Sequence, residues 1–429
     1  METELANRSK MSRGWLRWLT PGLEVKRWLL LLLVAILVID LGLSYALKAL
    51  YSETQGLPAI TFYLTLQFLP KLVRAFIFGL VGLGLLTLSI VMLQRSVLGP
   101  LLPGSSRSMA EVIYAFRTRT RGPRIVAIGG GTGMSTLLRG LKDHTANLAA
   151  IVTVADDGGS SGRLRDEYRI LPPGDFRQCL VALADAEPLV KQLFNHRFQE
   201  GSLSGHSFGN LFIMAMAEVT GSFERALRES GRVLAVRGSI IPSTLHDVTL
   251  VADINGSLVE GESNIPAQKA PIARVYLKPD DSEINPEAQQ AILAAEMIIS
   301  GPGSLYTSIL PNLLVPGMVR AVRESPALKV YVCNVAEQFG ETDLFSVSDH
   351  MRVLSEHVGD DLFDFVVVNS NLTREPTGGQ AKVEFDREAA QKLAPHARFI
   401  EADLINILLP SHHDPDKLAD ALMRKIWSA

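Results

Sequence analysis

The chain has 429 residues, 47% hydrophobic and 7% aromatic, with a formal net charge of -3. That length holds two or three domains and a large core, while the near-neutral charge and scarce aromatics argue against a nucleic-acid-binding surface. Two distant cysteines, Cys179 and Cys333, read as buried thiols of a reducing compartment and exclude a disulfide or zinc framework. Residues 1–27 carry six basic side chains, Arg8, Lys10, Arg13, Arg17, Lys26 and Arg27. Trp28–Leu47, with one charge in twenty residues, and Ala75–Leu93, with none in nineteen, are each long enough to cross a bilayer as a helix. A cleavable signal peptide is the rival for the first segment. The long region before it, the lack of a small-x-small site and the second apolar segment favour an anchor.

The loop 48–74 carries three basic residues, and 94–124 carries six, Arg95, Arg107, Arg117, Arg119, Arg121 and Arg124. Positive charge on both outer flanks predicts a transmembrane hairpin over 28–93, in the cell membrane, with both termini and the soluble part cytoplasmic. Asp40 falls inside the first span, as a functional intramembrane acid or as a helix-paired residue near the interface. Residues 94–122 read as a Pro/Gly/Ser linker with a short helix over 109–116. From residue 123 strands and helices alternate, which predicts an α/β domain with a largely parallel sheet to residue 429. Strands are expected around "RIVAIG" and "LAAIVTVADD" and over Arg232–Val236, Thr249–Ile254, Ile272–Leu277, Met297–Ile299, Val330–Cys333 and Phe365–Val368. Helices are expected over Asp175–Ala186, Glu187–Arg197, Asn210–Val219, Ser222–Glu229, Pro286–Ala295 and Asp343–Glu356. Asn255-Gly256 predicts a hairpin beside the main sheet, and Asp414-Pro415 starts a terminal helix.

Five stretches carry the chemistry. Gly129, Gly130, Gly131, Thr132 and Gly133 follow a strand and open a helix, where backbone N–H groups seat a phosphate. The spacing matches neither a Walker A motif nor a strict G-x-G-x-x-G, and a tight strand–helix turn is the alternative. In "VADDGGSSGRLR", Asp156 and Asp157 end the next strand, suited to a ribose hydroxyl or to Mg²⁺. Gly158, Gly159, Ser160 and Ser161 form a loop a ligand can approach, and Arg163 or Arg165 pairs with phosphate. The alternative is an Asp-capped loop whose arginines neutralise its own acids. In "LPPGDFRQ", Asp175 is either a helix N-cap or a metal ligand with Asp156 or Asp157, and Arg177 is a phosphate contact. "GHSFGN" brings His206 and Asn210 to the start of an apolar helix, in a binding or a structural role. "SGPGSLYTSILPNL" repeats the logic of the first loop with Gly301, Gly303 and Ser304, with Tyr306 and Thr307 behind. Two such loops at strand ends can face one another across a cleft. Weaker candidates are Asn334, Gln338, Glu341, Thr342 and His350, and the pair His412 and His413 with Asp414.

Taken together, "GGGTGMSTLLRGLK", "VTVADDGGSSGRLR", "PPGDFRQCLVALA", "GHSFGNL" and "SGPGSLYTSILPNL" resemble the gluconeogenesis-factor family (YvcK-type) within the CofD-like superfamily, over residues 123–429. The resemblance implies a Rossmann-like fold, with a mostly parallel sheet and helices on both faces. It implies binding of a UDP-sugar such as UDP-N-acetylglucosamine, with no cofactor required, and support of cell shape and wall synthesis during gluconeogenic growth. Cell-wall synthesis proteins are the implied partners; the apolar hairpin adds the membrane, and a second copy of the chain is a further expected partner. The superfamily's transferases imply the alternative: Mg²⁺-dependent transfer of a phospholactyl group from a guanosine-diphosphate-linked donor to a deazaflavin. Asp156, Asp157 and Asp175 match their acids, with Asp157 and Asp175 as the metal pair. The chain departs from the family in its membrane anchor and in reading Ser411-His412-His413-Asp414 where members tend to have Arg-His-Asp.

Overall fold

The structure, a computed structural model, describes residues 36, 40, 63, 66, 68–98, 119–185 and 188–428. The chain divides into Met1–Arg117 and Thr118–Ala429. In the first unit, helix α1 (Lys71–Leu98) contains the second expected span. Leu72, Phe76, Leu80 and Leu83 on it are exposed. Among the described residues no single helix is long and apolar enough to cross a membrane. The first expected span lies outside the described residues except for Ile36 and Asp40, both helical, and the helix expected over 109–116 lies wholly outside them.

The second unit is built on a seven-stranded parallel sheet. Its strands are β1 (Ile125–Gly129), β2 (Leu148–Val152), β3 (Ser239–Pro242), β7 (Met297–Ser300), β8 (Leu328–Val332), β9 (Phe365–Asn369) and β10 (Arg398–Ala402). They lie in the order β10-β9-β8-β7-β1-β2-β3, every neighbour parallel. "IVAIG", "MIIS" and "FVVVN" are near-continuous apolar runs because a parallel sheet is covered on both faces. The chain winds outward from β1 to β3, returns to lay β7 on the other side of β1, then winds outward to β10. The loops after β1 and β7 therefore diverge at a topological switch point, where open sheets hold their ligands.

The covering helices are α2 (Gly131–Leu141), α3 (Gly159–Tyr168), α4 (Pro173–Leu183), α5 (Pro188–Asn195), α6 (Phe208–Thr220), α7 (Phe223–Val233), α8 (Asn264–Ala267), α9 (Pro286–Ala294), α10 (Leu310–Leu313), α11 (Met318–Glu324), α12 (Val347–Val358), α13 (Arg387–Leu393) and α14 (Pro415–Leu422). Between β3 and β7 an antiparallel ribbon is inserted, β4 (Thr249–Ile254), β5 (Ser257–Glu260) and β6 (Ile272–Lys278), in the order β5-β4-β6. Asn255 and Gly256 both have positive φ, 52° and 77°, which closes the expected β4–β5 hairpin as a type I′ turn. Val275 of β6 donates its N–H to His357 Nε2 at 3.1 Å and so fastens the ribbon to α12.

Several expectations are corrected. The strand expected over Arg232–Val236 is the end of α7 and the turn after it; the edge strand is β3, a few residues later. The stretch expected as an open loop, Gly158–Gly162, is already helical from Gly159. Asp175 does not cap its helix, because Pro172 holds that place and Asp175 lies in the first turn. The helix expected from Asp343 starts at Val347, where Ser346 and Asp349 form a capping box. Asp414 does cap α14, accepting from the N–H groups of Asp416 and Lys417.

Candidate functional site

At the end of β1 the chain turns through Gly130, in extended conformation, and Gly131, at φ 63°, into α2; Gly130 offers no side-chain cap, and the Asp175 carboxyl takes the Gly131 N–H. Close approach explains the glycines. A Cβ on Gly130 would strike the Asp175 carboxylate and stand 2.9 Å from the Thr153 methyl, and one on Gly133 would strike the Pro302 carbonyl. From the other side, Gly303 lies with its Cβ position 3.5 Å from the Gly130 carbonyl. Asn334 holds Gly303 by both backbone groups, at 3.2 and 2.9 Å. Asn312 donates to the Gly129 carbonyl at 2.9 Å and to that of Ser308 at 2.7 Å. The two glycine loops therefore touch at the switch point.

The opening of α3 forms the next wall. Its N-cap is Gly158, with no side-chain cap, so an uncapped helix N-terminus is presented beside the start of α2. Asp156 accepts from the Gly158 N–H at 2.9 Å and from Ser161, and Gly174 is pressed so close that a Cβ would strike the Ser161 hydroxyl. Asp157 turns the other way, accepting from the N–H and hydroxyl of Ser263 at 2.9 and 2.7 Å. Ser160 is shared between His206 Nδ1 at 3.0 Å and the Asn210 amide at 3.1 Å. Asn210 in turn accepts from Arg177 at 3.0 Å, and Arg177 also reaches Asn195 at 2.6 Å. Thr132 faces Gln178 at 3.4 Å.

Electrically the mouth is divided. On the side of residues 195–210, Arg163 donates to the Ser204 carbonyl at 3.0 Å, Arg197 to that of Gly205, and Arg177 to two amides. Among the described residues none of the three forms a salt bridge, although Arg177 lies within reach of the Asp175 charge. Burial and the nearby Arg163 push His206 below its usual range, leaving it neutral at pH 7. Across the mouth the acids gather. Burial, then the Asp156 charge, push Asp175 up to about 7 against the opposing Gly131 N–H and Arg177. Burial and the charges of Asp156, Glu341, Asp175 and Asp157 push Glu262 up to about 8. Burial raises Glu341 to about 7 despite hydrogen bonds from Thr307 and Ser304. Asp156 is raised chiefly by burial.

Of the expected metal pair, Asp157 is turned to Ser263 while Asp175 meets Gly131, and among the described residues no three or more acids, histidines or cysteines are grouped to hold a metal ion.

Other expected residues serve the framework. Arg165 is buried, bonded to the Val248 carbonyl at 2.7 Å and to the Asp156 carbonyl at 3.5 Å, and paired with Asp247, so it braces the chain at Asp156. Tyr306 is buried with its hydroxyl on the Ile272 carbonyl at 3.4 Å, and it lines a neighbouring cleft of about 660 Å³ instead. Gly301, at φ 81°, backs onto the Val332 carbonyl, and the Ser304 hydroxyl accepts from Gln338 at 2.8 Å. His413 is buried against the Cys333 carbonyl at 3.1 Å, and His350 against that of Ser346 at 2.8 Å. Glu262, Arg197 and Asn312 line or brace the mouth without having been singled out. The signal for Glu262 was the hairpin just before it, which places its residue at the ribbon's site-facing end.

The family model for 2-phospho-L-lactate transferase CofD matches residues 125–405. A putative gluconeogenesis factor of Nostoc is 44% identical over 430 residues, covering 96% of this chain and 92% of the relative. The gluconeogenesis factor of Bacillus subtilis is 49% identical over 271 residues, 63% of this chain and 84% of the relative. A crystallised Bacillus halodurans protein superposes with a TM-score of 0.68 at 42% identity, covering 71% of this chain and all of that one.

Proposed function

Since this chain belongs to the gluconeogenesis factor family and carries a CofD domain, we propose that it binds a UDP-sugar, UDP-N-acetylglucosamine, and acts as a ligand-dependent regulator of cell shape and wall synthesis during gluconeogenic growth. The observation that carries this reading is the meeting of the α2 and α3 N-termini, the first with the Asp175 carboxyl on its Gly131 N–H and the second uncapped, with two contacting glycine loops at the β1/β7 switch point. Such a place collects backbone N–H donors and positive dipole ends, which suits a diphosphate. Arg163, Arg177 and Arg197 supply the remaining positive charge. In this reading the N-terminal apolar segments tether the domain to the cytoplasmic face of the cell membrane. Wall-synthesis proteins and a second copy of the chain are its partners, and no cofactor is required.

The CofD family match favours a second reading, transfer of a phospholactyl group from a guanosine-diphosphate-linked donor to a deazaflavin. That chemistry leans on Mg²⁺, for which Asp156 and Asp175 are the acids beside the start of α2. Titration calorimetry of the full chain in detergent separates the two. Saturable UDP-N-acetylglucosamine binding without turnover, indifferent to chelator, supports the regulator. Tight GDP binding that appears only with Mg²⁺ overturns it in favour of the transferase.

A further inference from the structure

We infer that Glu262, backed by Glu341, reads the hydroxyl-bearing ring of the ligand and excludes ligands that carry a carboxylate there. The inference deepens the nucleotide-sugar reading and rests on it. Glu262 lies on the segment between β5 and α8, which is drawn onto the mouth by Asp157 through the N–H and hydroxyl of Ser263. Gly261 is pressed so tightly against the Asp157 carboxylate that a Cβ would collide with it, so the segment cannot stand off. In that position the Glu262 carboxyl faces Asp156, Glu341, Asp175 and Asp157 and forms none of the hydrogen bonds or ion pairs of the described residues. Behind it, Glu341 is 9% exposed. Its Oε1 accepts from Thr307 at 3.1 Å, while its Oε2 is buried with no partner. One oxygen of Glu341, which also lines the neighbouring cleft beside Tyr306, thus lacks a donor, and an unmet buried acceptor is costly.

The ligand chemistry follows from the division of charge. A diphosphate is attracted to the wall of Arg163, Arg177 and Arg197 and repelled by the acids, so the uncharged end of the ligand faces Glu262. Carboxyl groups crowded this closely share protons near neutral pH, and a hydroxyl, which both donates and accepts, satisfies either form. A carboxylate on the ring would instead meet like charge in a half-buried setting, a built-in rejection.

The test compares UDP, UDP-glucose and UDP-glucuronate, which differ only in the ring and its charge, on the full chain and on Glu262→Gln. The wild type is expected to bind UDP-glucose about tenfold or more tightly than UDP-glucuronate. Glu262→Gln, isosteric and checked for unchanged folding by its melting curve, is expected to cut that preference to about threefold or less while leaving UDP affinity within about twofold. Equal binding of the two sugars by the wild type, or a preference unmoved by Glu262→Gln, overturns the inference and leaves nucleotide binding standing. Failure of all three ligands to bind the wild type overturns the nucleotide-sugar reading and this inference with it.

Discussion

The contact between the two glycine loops can be tested with a single methyl group. A Cβ on Gly133 would collide with the Pro302 carbonyl oxygen and lie 2.6 Å from its carbon and 2.9 Å from Gly303 Cα. All of these are backbone atoms, so no side chain can swing aside. Restoring ordinary contact separates the loops by about 1 Å. Overpacking of that size costs about 1–3 kcal/mol, a melting point about 2–5 °C lower in a domain of this size. A shift of about 1 Å also removes one or two N–H groups from reach of a phosphate, at about 1.5–3 kcal/mol for each charge-assisted hydrogen bond, or roughly 10–100-fold in affinity. Gly129→Ala is the matched control, since the nearest atom to its Cβ is the flexible Met134 Cε at 3.6 Å. Calorimetry with UDP-N-acetylglucosamine and a thermal melt on both variants decide it. Wild-type affinity and melting in Gly133→Ala, or equal losses in both variants, would refute the reasoning from close contact.

Melting points should also fall as pH rises from about 5 to 8.5. Asp175, Glu262 and Glu341 are held neutral by the fold up to about 7, 8 and 7. The folded state therefore keeps protons that the unfolded chain has already released above about pH 4, and this contribution is lost as pH climbs through 7–8. A flatter profile in Glu262→Gln is the expected companion result. Arg165→Ala should destabilise by about 1–3 kcal/mol in denaturant titrations, because it strips the buried Val248 carbonyl of its donor. Its UDP-sugar affinity should change less than that of Arg177→Ala. Asn334→Ala frees both backbone groups of Gly303 and should weaken ligand binding by about tenfold while lowering the melting point by only a few degrees, roughly 1–2 kcal/mol.

Much of the fold can be read in the chain before any coordinates. "IVAIG" and "LAAIV" are strands because fully covered parallel strands need continuous apolar runs. Asn255-Gly256 is a hairpin because a type I′ turn needs two residues that tolerate positive φ. Where composition misleads, tertiary packing has decided. "GGSSGRLR" looks like loop by propensity, yet Gly162 is needed inside a helix because its Cβ would strike the Asp157 carbonyl. "RVLAV" has the apolar density of a strand but begins as the last turn of α7. The site shows the same limit. The glycine and aspartate motifs announce themselves locally, and the structure brings their loops together. The directions in which Asp157, Arg165 and Tyr306 turn depend on Ser263, Val248 and Ile272, many residues away. Glu262 and Arg197 reach the mouth only through the folded ribbon and the 196–210 turn, which no spacing rule encodes.

The sheet's winding order has a consequence for how the protein is made. β1 lies inside the sheet next to the central β7, but its pairing with β7 joins Ile125 to Met297, 172 residues further along. At roughly 5–20 residues per second, a ribosome takes about 10–35 s to bridge that interval. Throughout it, one edge of this interior strand is unpaired and apolar, a template for wrong neighbours. The nascent β1–β3 half must therefore be sheltered until β7 emerges. Chains released before Met297 are bound for aggregation, whereas those cut after β8 retain a paired centre.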